Sequence, residues 1–366
     1  MAESIHTTPH KIQAMVIGDS AVVARRVKDV LKRTPDVDLA AEAVDGVDAV
    51  SKLRRSHLDV IFLDIGDPAV KMATDLSRLL KVDAEAQVVL VATLTFANVK
   101  NAMSGLVTGA AEFVQAPSRH TPHISDDAFS REVADLARAL GRARRDKGAR
   151  VIATAITPRH DHPVPATLRE RRRFVPKAIA VASSTGGPQA LFALFGALPK
   201  TVTQPIFVTQ HMPAGFTTAM ASHITNRTGW TCAEAVRGEP VAGGRVYLAP
   251  GDFHMTVEKK GAGLVLATNQ GPPENFCRPS AEPMLRSLVD AYGAGSLLCV
   301  VLTGMGADGR AGAKLIADGG GTVVAQDKET SVVWGMPGAV AAAGVCHAIL
   351  PLPEIAPFIA KAARGE

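Results

Sequence analysis

Two doubly wound α/β domains are the architecture this sequence predicts, and three observations carry that expectation. Apolar runs of strand length recur along the chain, each followed by helix-compatible sequence. The recurrence stops at a stretch rich in Pro, Thr, Arg and His, Gly148–Arg173, and then starts again. The 366 residues also exceed what one compact core usually covers. Composition agrees: 47% of residues are hydrophobic and 20% charged, with 32 Gly and 23 Pro for tight turns, whereas only 4% are aromatic, so small aliphatic side chains must fill the cores.

The first rhythm places buried parallel strands at Ala14–Ile17, Val60–Leu63 and Val88–Val91. Helical sequence follows, as in Ser20–Arg33 with apolar Val23, Val27, Val30 and Leu31. The last helix, near Asp126–Arg145, carries Val133, Leu136, Ala137 and Leu140 on one face. A domain over 11–147 is expected, then a linker over 148–173, then a second domain over 174–366. In the second domain, strands are expected at Ala178–Ala182, Ile206–Val208, Leu297–Leu302, Thr322–Ala325 and Ala348–Leu350. The short alternating segments between Arg245 and Ala267 read as an antiparallel hairpin insertion.

The formal net charge of +5 is uneven. Arg138, Arg142, Arg144, Arg145, Lys147 and Arg150 lead into a stretch closed by Arg169, Arg171, Arg172, Arg173 and Lys177. The first cluster has no interleaved aromatic residue, so a solvated helix end and linker is expected rather than a nucleic-acid or lipid-headgroup surface. His160-Asp161-His162 lies in the same stretch and reads as solvated rather than metal-binding. Cys232, Cys277, Cys299 and Cys346 form no C-x-x-C pair, which suits a reduced cytoplasmic protein. Residues 1–10 lack the apolar stretch of a signal peptide, and no apolar run reaches about 18 residues, so neither membrane insertion nor secretion is expected. A monomer is the default.

Ligands of open α/β sheets bind beyond the carboxyl ends of strands, so the residues following each strand matter most. Ser184 follows the first strand of the second domain, in Ser183-Ser184-Thr185-Gly186-Gly187-Pro188. There it is either an exposed nucleophile above a helix N-terminus or a plain helix cap. His211 follows the next strand, as a general base or a structural histidine. Asp308 follows Leu297–Leu302 within Thr303-Gly304-Met305-Gly306-Ala307-Asp308-Gly309, as an orienting carboxylate or a turn residue. Together they place nucleophile, base and acid at three strand ends. The chain order Ser…His…Asp and the lack of a G-x-S-x-G elbow set them apart from α/β-hydrolases. A rival reading takes Gly304–Gly309 as a G-x-G-x-x-G dinucleotide loop with Asp327 on the ribose. It would bring Asp308 against a pyrophosphate, and it leaves Ser184 and His211 unexplained.

The chain resembles the chemotaxis response-regulator protein-glutamate methylesterases. In the second half the resemblance rests on Ala182–Pro188, Gln210-His211-Met212-Pro213, Arg278-Pro279-Ser280, Leu302–Gly309, Ala325-Gln326-Asp327 and Gly335-Met336-Pro337. It implies hydrolysis of glutamate γ-methyl esters on chemoreceptor signalling helices, with release of methanol, and deamidation of receptor glutamines. Carried over by motif, Ser184 is the nucleophile, His211 the base and Asp308 its orienter. Backbone near Met305 forms the oxyanion hole, and Thr185 lines the site. No cofactor is implied for the ester chemistry. One departure is Cys277, where the family usually has histidine before Arg-Pro-Ser.

The first half resembles a flavodoxin-like receiver domain, served in this family by a chemotaxis histidine kinase. Asp64, ending Val60–Asp64, matches the phospho-acceptor, and Asp19 and Asp64 match carboxylates that bind Mg²⁺. The second of the paired acids is replaced by Gly18, the hydroxyl residue by Ala92 and the lysine by Ala116 ahead of Pro117. Asp67-Pro68 stands for the usual Met-Pro. Asp67 offers a substitute carboxylate, and Thr93 and Thr95 offer a shifted hydroxyl. A degenerate receiver with an impaired Mg²⁺ site, regulating by docking, is therefore expected. A non-catalytic receptor-binding regulator is the alternative from another functional class.

Overall fold

A computed structural model describes residues 11–366 except 19, 21, 66–68, 94, 119–123, 157–167 and 171–172, and it gives no side-chain environment for 69, 70, 96 and 149–156. The chain divides into two compact units, Met1–Thr157 and Pro158–Glu366.

In the first unit, strands β1 (Ile12–Ile17), β2 (Val37–Ala43), β3 (Val60–Asp64), β4 (Val88–Thr93) and β5 (Glu112–Ala116) alternate with helices α1 (Val23–Arg33), α2 (Gly46–Leu53), α3 (Ala69–Val82), α4 (Phe96–Thr108) and α5 (Asp126–Ile156). The strands pair in parallel in the order β2-β1-β3-β4-β5. This is the flavodoxin-like order, with its switch point between β1 and β3. The central strands β3 and β4 are buried almost throughout because helices cover both faces.

Helix α5 runs well past the expected stop at Arg145, into the expected linker. Gly148 alone does not end it, since a single helical Gly costs only about 1 kcal/mol and no proline follows before Pro158. Arg169, also expected in the linker, is fastened to the second unit. Its N–H donates to the Cys346 carbonyl (2.8 Å), its Nε to the Gly344 carbonyl (3.1 Å), and it pairs with Asp318 (2.8 Å). His160-Asp161-His162 lies outside the described residues.

The basic cluster on α5 is largely neutralised within its own unit. Arg138 and Arg142 pair with Asp36, Arg144 with Asp83, and Arg145 with the fully buried Asp59.

The second unit contains β6 (Ala178–Ser183), α6 (Gly187–Ala197), β7 (Ile206–Gln210), α7 (Phe216–Thr228), β8 (Thr231–Glu234), β9 (Arg245–Leu248), β10 (His254–Lys260), β11 (Gly263–Asn269), α8 (Ala281–Tyr292), β12 (Leu297–Val301), α9 (Arg310–Asp318), β13 (Thr322–Gln326), α10 (Met336–Ala342), β14 (Ala348–Leu350) and α11 (Leu352–Ala362). Seven strands form one sheet, β14-β13-β12-β6-β7-β9-β8, and β10 and β11 form a separate antiparallel hairpin. One expectation needs correcting here. β9 was expected within the hairpin insertion, but it pairs in parallel with both β7 and β8. Four residues are too few to display the unbroken apolar run of a buried strand.

The chain leaves β6 toward β7 and later returns to β12 on the other side. The switch point of this sheet therefore lies between β6 and β12, where a crevice for ligands forms. The core is built from small aliphatics such as Ala178, Ala180, Ala182, Leu285, Val301 and Ala325, with Phe207 stacked on Tyr247 at 5.5 Å between centroids. Among the described residues no helix is long and apolar enough to cross a membrane.

Candidate active site

Three neighbouring strands, β12, β6 and β7, deliver the three groups from their carboxyl ends. Ser184 follows β6 directly and is about nine-tenths buried. It does not cap α6. The N-cap is Gly186, in the left-handed region at φ 75°, with no side-chain capping bond. The turn is tight because the Gly187 N–H donates to the Ser184 carbonyl at 2.7 Å. The Ser184 N–H donates to the Thr303 carbonyl at 3.0 Å, joining the β6 turn to the β12 turn. Gly304 makes that closeness feasible. A Cβ there would lie 2.8 Å from Ser184 Cβ and 2.5 Å from Met336 Sδ.

Gln210, the fully buried last residue of β7, ties the ends of β6 and β7 together. Its Oε1 accepts from the Ser183 hydroxyl (2.7 Å), and its Nε2 donates to the carbonyls of Ser184 (2.9 Å) and His211 (3.1 Å). Gln326 does the same from the end of β13, accepting from the Thr303 N–H at 2.8 Å and donating to Thr330. The Thr303 hydroxyl donates to the Thr185 carbonyl at 2.9 Å. The backbone N–H groups of Thr185 and Met305 have no acceptor among the described residues.

Asp308 is buried and accepts four hydrogen bonds: from His211 Nε2 (2.7 Å), Asn275 Nδ2 (2.8 Å), the Ser280 hydroxyl (2.6 Å) and the Ala281 N–H (2.6 Å). Ser280 caps α8, so Asp308 also sits at a helix N-terminus. Burial opposes its charge, but His211, Ser280 and Ala281 outweigh that and hold its pKa below the ordinary 3.8.

For His211, burial works against the imidazolium; the Asp308 carboxylate and Cys277 prevail and raise the pKa from 6.5 to about 10. The other ring nitrogen, Nδ1, faces Cys277 Sγ at 3.3 Å. The Ser184 hydroxyl makes no hydrogen bond to the ring among the described residues. His254, the buried first residue of β10, accepts the Ser280 N–H at 3.2 Å and supports the start of α8.

Ser184, Thr185, His211, Met305 and Asp308 are thus brought to one end of one sheet. Asp327 is engaged elsewhere: its Oδ1 accepts from the Thr330 N–H (2.9 Å) and hydroxyl (2.6 Å). Sequence reasoning missed Gln210, Asn275, Ser280 and Gln326 as structural partners. Only Ser280 left a readable signal, a serine opening a helical segment.

The protein-glutamate methylesterase/protein-glutamine glutaminase 1 of Paramagnetospirillum magneticum is 45% identical to this chain, over 96% of each. The chain belongs to the CheB methylesterase family. The model of that family, described as CheB methylesterase, matches residues 179–359. A second relative, the protein-glutamate methylesterase/protein-glutamine glutaminase of Azospirillum brasilense, is 43% identical over 96% of this chain and 92% of its own. The crystallised catalytic domain of Thermotoga maritima CheB methylesterase is 38% identical, with a TM-score of 0.50, covering 51% of this chain and 99% of that domain. This CheB family member is an enzyme, a carboxylic ester hydrolase.

The CheB family's receiver positions lie in the first unit. Asp64 ends β3 at the switch point. Gly18 stands beside it with φ 137°, and a Cβ there would fall 2.7 Å from Asp64 Cβ. Ala92 and Ala116 are buried and bring neither hydroxyl nor charge. Thr95 is occupied as the N-cap of α4, accepting from the Asn98 N–H at 3.1 Å. Asp19 and Asp67 lie outside the described residues. Among the described residues Asp64 is the one carboxylate at this position, and it is an oxygen donor of the kind Mg²⁺ takes. Among the described residues no group of three His, Cys, Asp or Glu is placed to hold a metal.

Proposed function

We propose that this chain hydrolyses glutamate γ-methyl esters on chemoreceptor signalling helices through Ser184, His211 and Asp308. The observation that supports this most strongly is His211 held at 2.7 Å by a buried, four-fold hydrogen-bonded Asp308 on the strand ends flanking Ser184.

Asp308 accepts a hydrogen bond from His211 Nε2–H, so Nδ1 is the ring nitrogen left to accept the serine's proton. As that proton leaves, Ser184 Oγ attacks the ester carbonyl. The unbonded N–H groups of Thr185 and Met305 are suited to the oxyanion, each worth roughly 3–4 kcal/mol at comparable sites. The proton returns to the methoxy oxygen and methanol departs. Water, deprotonated by the same ring, then frees the glutamate and Ser184. A glutamine amide follows the same course with ammonia leaving, consistent with the names of the relatives. None of these steps calls on a metal or organic cofactor.

The first unit, in this reading, is a receiver whose phosphorylation chemistry has decayed and which regulates by docking. The measurement that tests the enzymatic reading is methanol release from methylated receptor. Release by the wild-type chain supports it. Tight receptor binding without release would favour a non-catalytic regulator.

A further inference from the structure

Cys277 is the one feature of the site that the ester chemistry does not absorb. The loop carrying it is closed by two reciprocal backbone bonds, Glu274 N–H to the Cys277 carbonyl (3.1 Å) and Cys277 N–H to the Glu274 carbonyl (2.9 Å). Between them Asn275 (φ 51°) and Phe276 (φ 64°) adopt left-handed backbone, which costs energy for side chains of this size. Such strain persists where the surroundings dictate it. Here Glu274 is tied to Arg286 on α8 at 2.6 Å and Asn275 to Asp308 at 2.8 Å. The strained turn brings both Asn275 and Cys277 onto the His211–Asp308 pair while leaving Phe276 fully exposed.

The partners of the ring then fix its protons. Asp308 only accepts, so Nε2 carries a hydrogen. With the ring charged, Nδ1 carries one too, and Cys277 Sγ at 3.3 Å is its acceptor. We propose that Cys277 is a positioning residue: by accepting the Nδ1–H it holds the resting ring against Asp308 and sets how readily His211 gives up the proton it must lose to act as base. The proposal rests on the serine-hydrolase reading of the site. In this scheme the thiol must yield Nδ1 before Ser184 can use it.

The titratable groups that face the ring are Asp308 from the β12 turn and Cys277 from this loop. Behind Asp308 stand Glu274, Glu282, Arg286 and, through Ser280, His254. Cys232, Cys299 and Cys346 are buried, whereas Cys277 is half-buried and lies with its Sγ 3.3 Å from the ring.

The test compares the full chain with Cys277→Ala and Cys277→Ser by two readouts. One is the titration and tautomer of the His211 ring, followed by long-range proton–nitrogen NMR. The other is the pH profile of kcat/KM for methanol release. Loss of the sulfur acceptor in Cys277→Ala is expected to lower the ring's titration and the rising kinetic limb together by about one to two pH units. Cys277→Ser, which keeps an acceptor, should restore much of the wild-type position. If Cys277→Ala does not fold, Cys277→Val reads the same shift. Coincident titrations in wild type and the acceptor-less variant would overturn the proposal and leave the methylesterase reading intact. A shifted titration in a chain that releases no methanol would uphold the proposal and sink that reading.

Discussion

At the scale of single residues, the site divides into groups that sequence can reveal and groups that only folding can. Ser184, His211 and Asp308 were legible because each follows an apolar strand-length run, and strand ends are where α/β sheets hold their ligands. Gln210 was not. An amide at a strand end has many uses, and only the fold shows that it clamps two neighbouring turns. Ser184→Ala is expected to lower methanol release by about 10⁴-fold or more, with the receptor still bound. Comparing kcat with receptor affinity checks both halves of that statement. The raised pKa of His211 makes a second prediction. The base must be neutral to act, so kcat/KM should climb with pH above 6.5 and on toward 10. In Asp308→Asn the climb should begin at lower pH while the plateau falls by about 10⁴-fold. A pH series on both proteins checks this, and a wild-type limb at or below 6.5 would contradict it. The same pairing stabilises the fold fully below 6.5 as long as Asp308 stays ionised, and that contribution fades as pH rises through about 10 or falls through the lowered pKa of Asp308.

At the scale of elements, the parallel strands and their turns were the readable part. The observed strands contain the expected ones with ends displaced by a residue or two, apart from Leu302, which falls just past the end of β12. β9 and the reach of α5 were not readable, for opposite reasons. β9 is too short to show a period, and α5 continues through a glycine that sequence patterns treat as a stop. The turns carry the next prediction. Gly304→Ala would drive a methyl group against Ser184 Cβ and Met336 Sδ, whereas Gly306, at φ 85°, has nothing within 4 Å of an added Cβ. Gly304→Ala should therefore lower kcat and cost about 1–3 kcal/mol. Gly306→Ala should cost about 1–2 kcal/mol from backbone strain alone and retain more of the activity. Melting temperatures and kcat measured side by side separate packing from strain.

At the scale of the whole molecule, one chain joins a methylesterase-family unit to a receiver-like unit with Gly18, Ala92 and Ala116 where the resemblance expects an acid, a hydroxyl and a lysine. The resemblance exposed those departures from sequence. The fold adds that Ala92 and Ala116 are buried, while Asp19 and Asp67 lie outside the described residues. Incubating the full chain with acetyl phosphate and Mg²⁺ is expected to leave its intact mass unchanged and its methanol release unaltered. A fragment spanning 174–366, in contrast, should release methanol faster if the first unit acts by docking. A phosphoryl adduct on Asp64 would overturn the degenerate reading, and equal rates would remove the docking role.

Gly18 also bears on how this receiver can change over time. A single base change can turn a glycine codon into an aspartate codon, which on paper restores the lost acid. The backbone at φ 137° and the 2.7 Å approach to Asp64 stand in the way. An acid at this position therefore needs a second change that reshapes the β1 turn. Gly18→Asp by itself is expected to strain the β1 turn rather than seat a second carboxylate beside Asp64, which a melting temperature and Mg²⁺ binding measured on that variant would check.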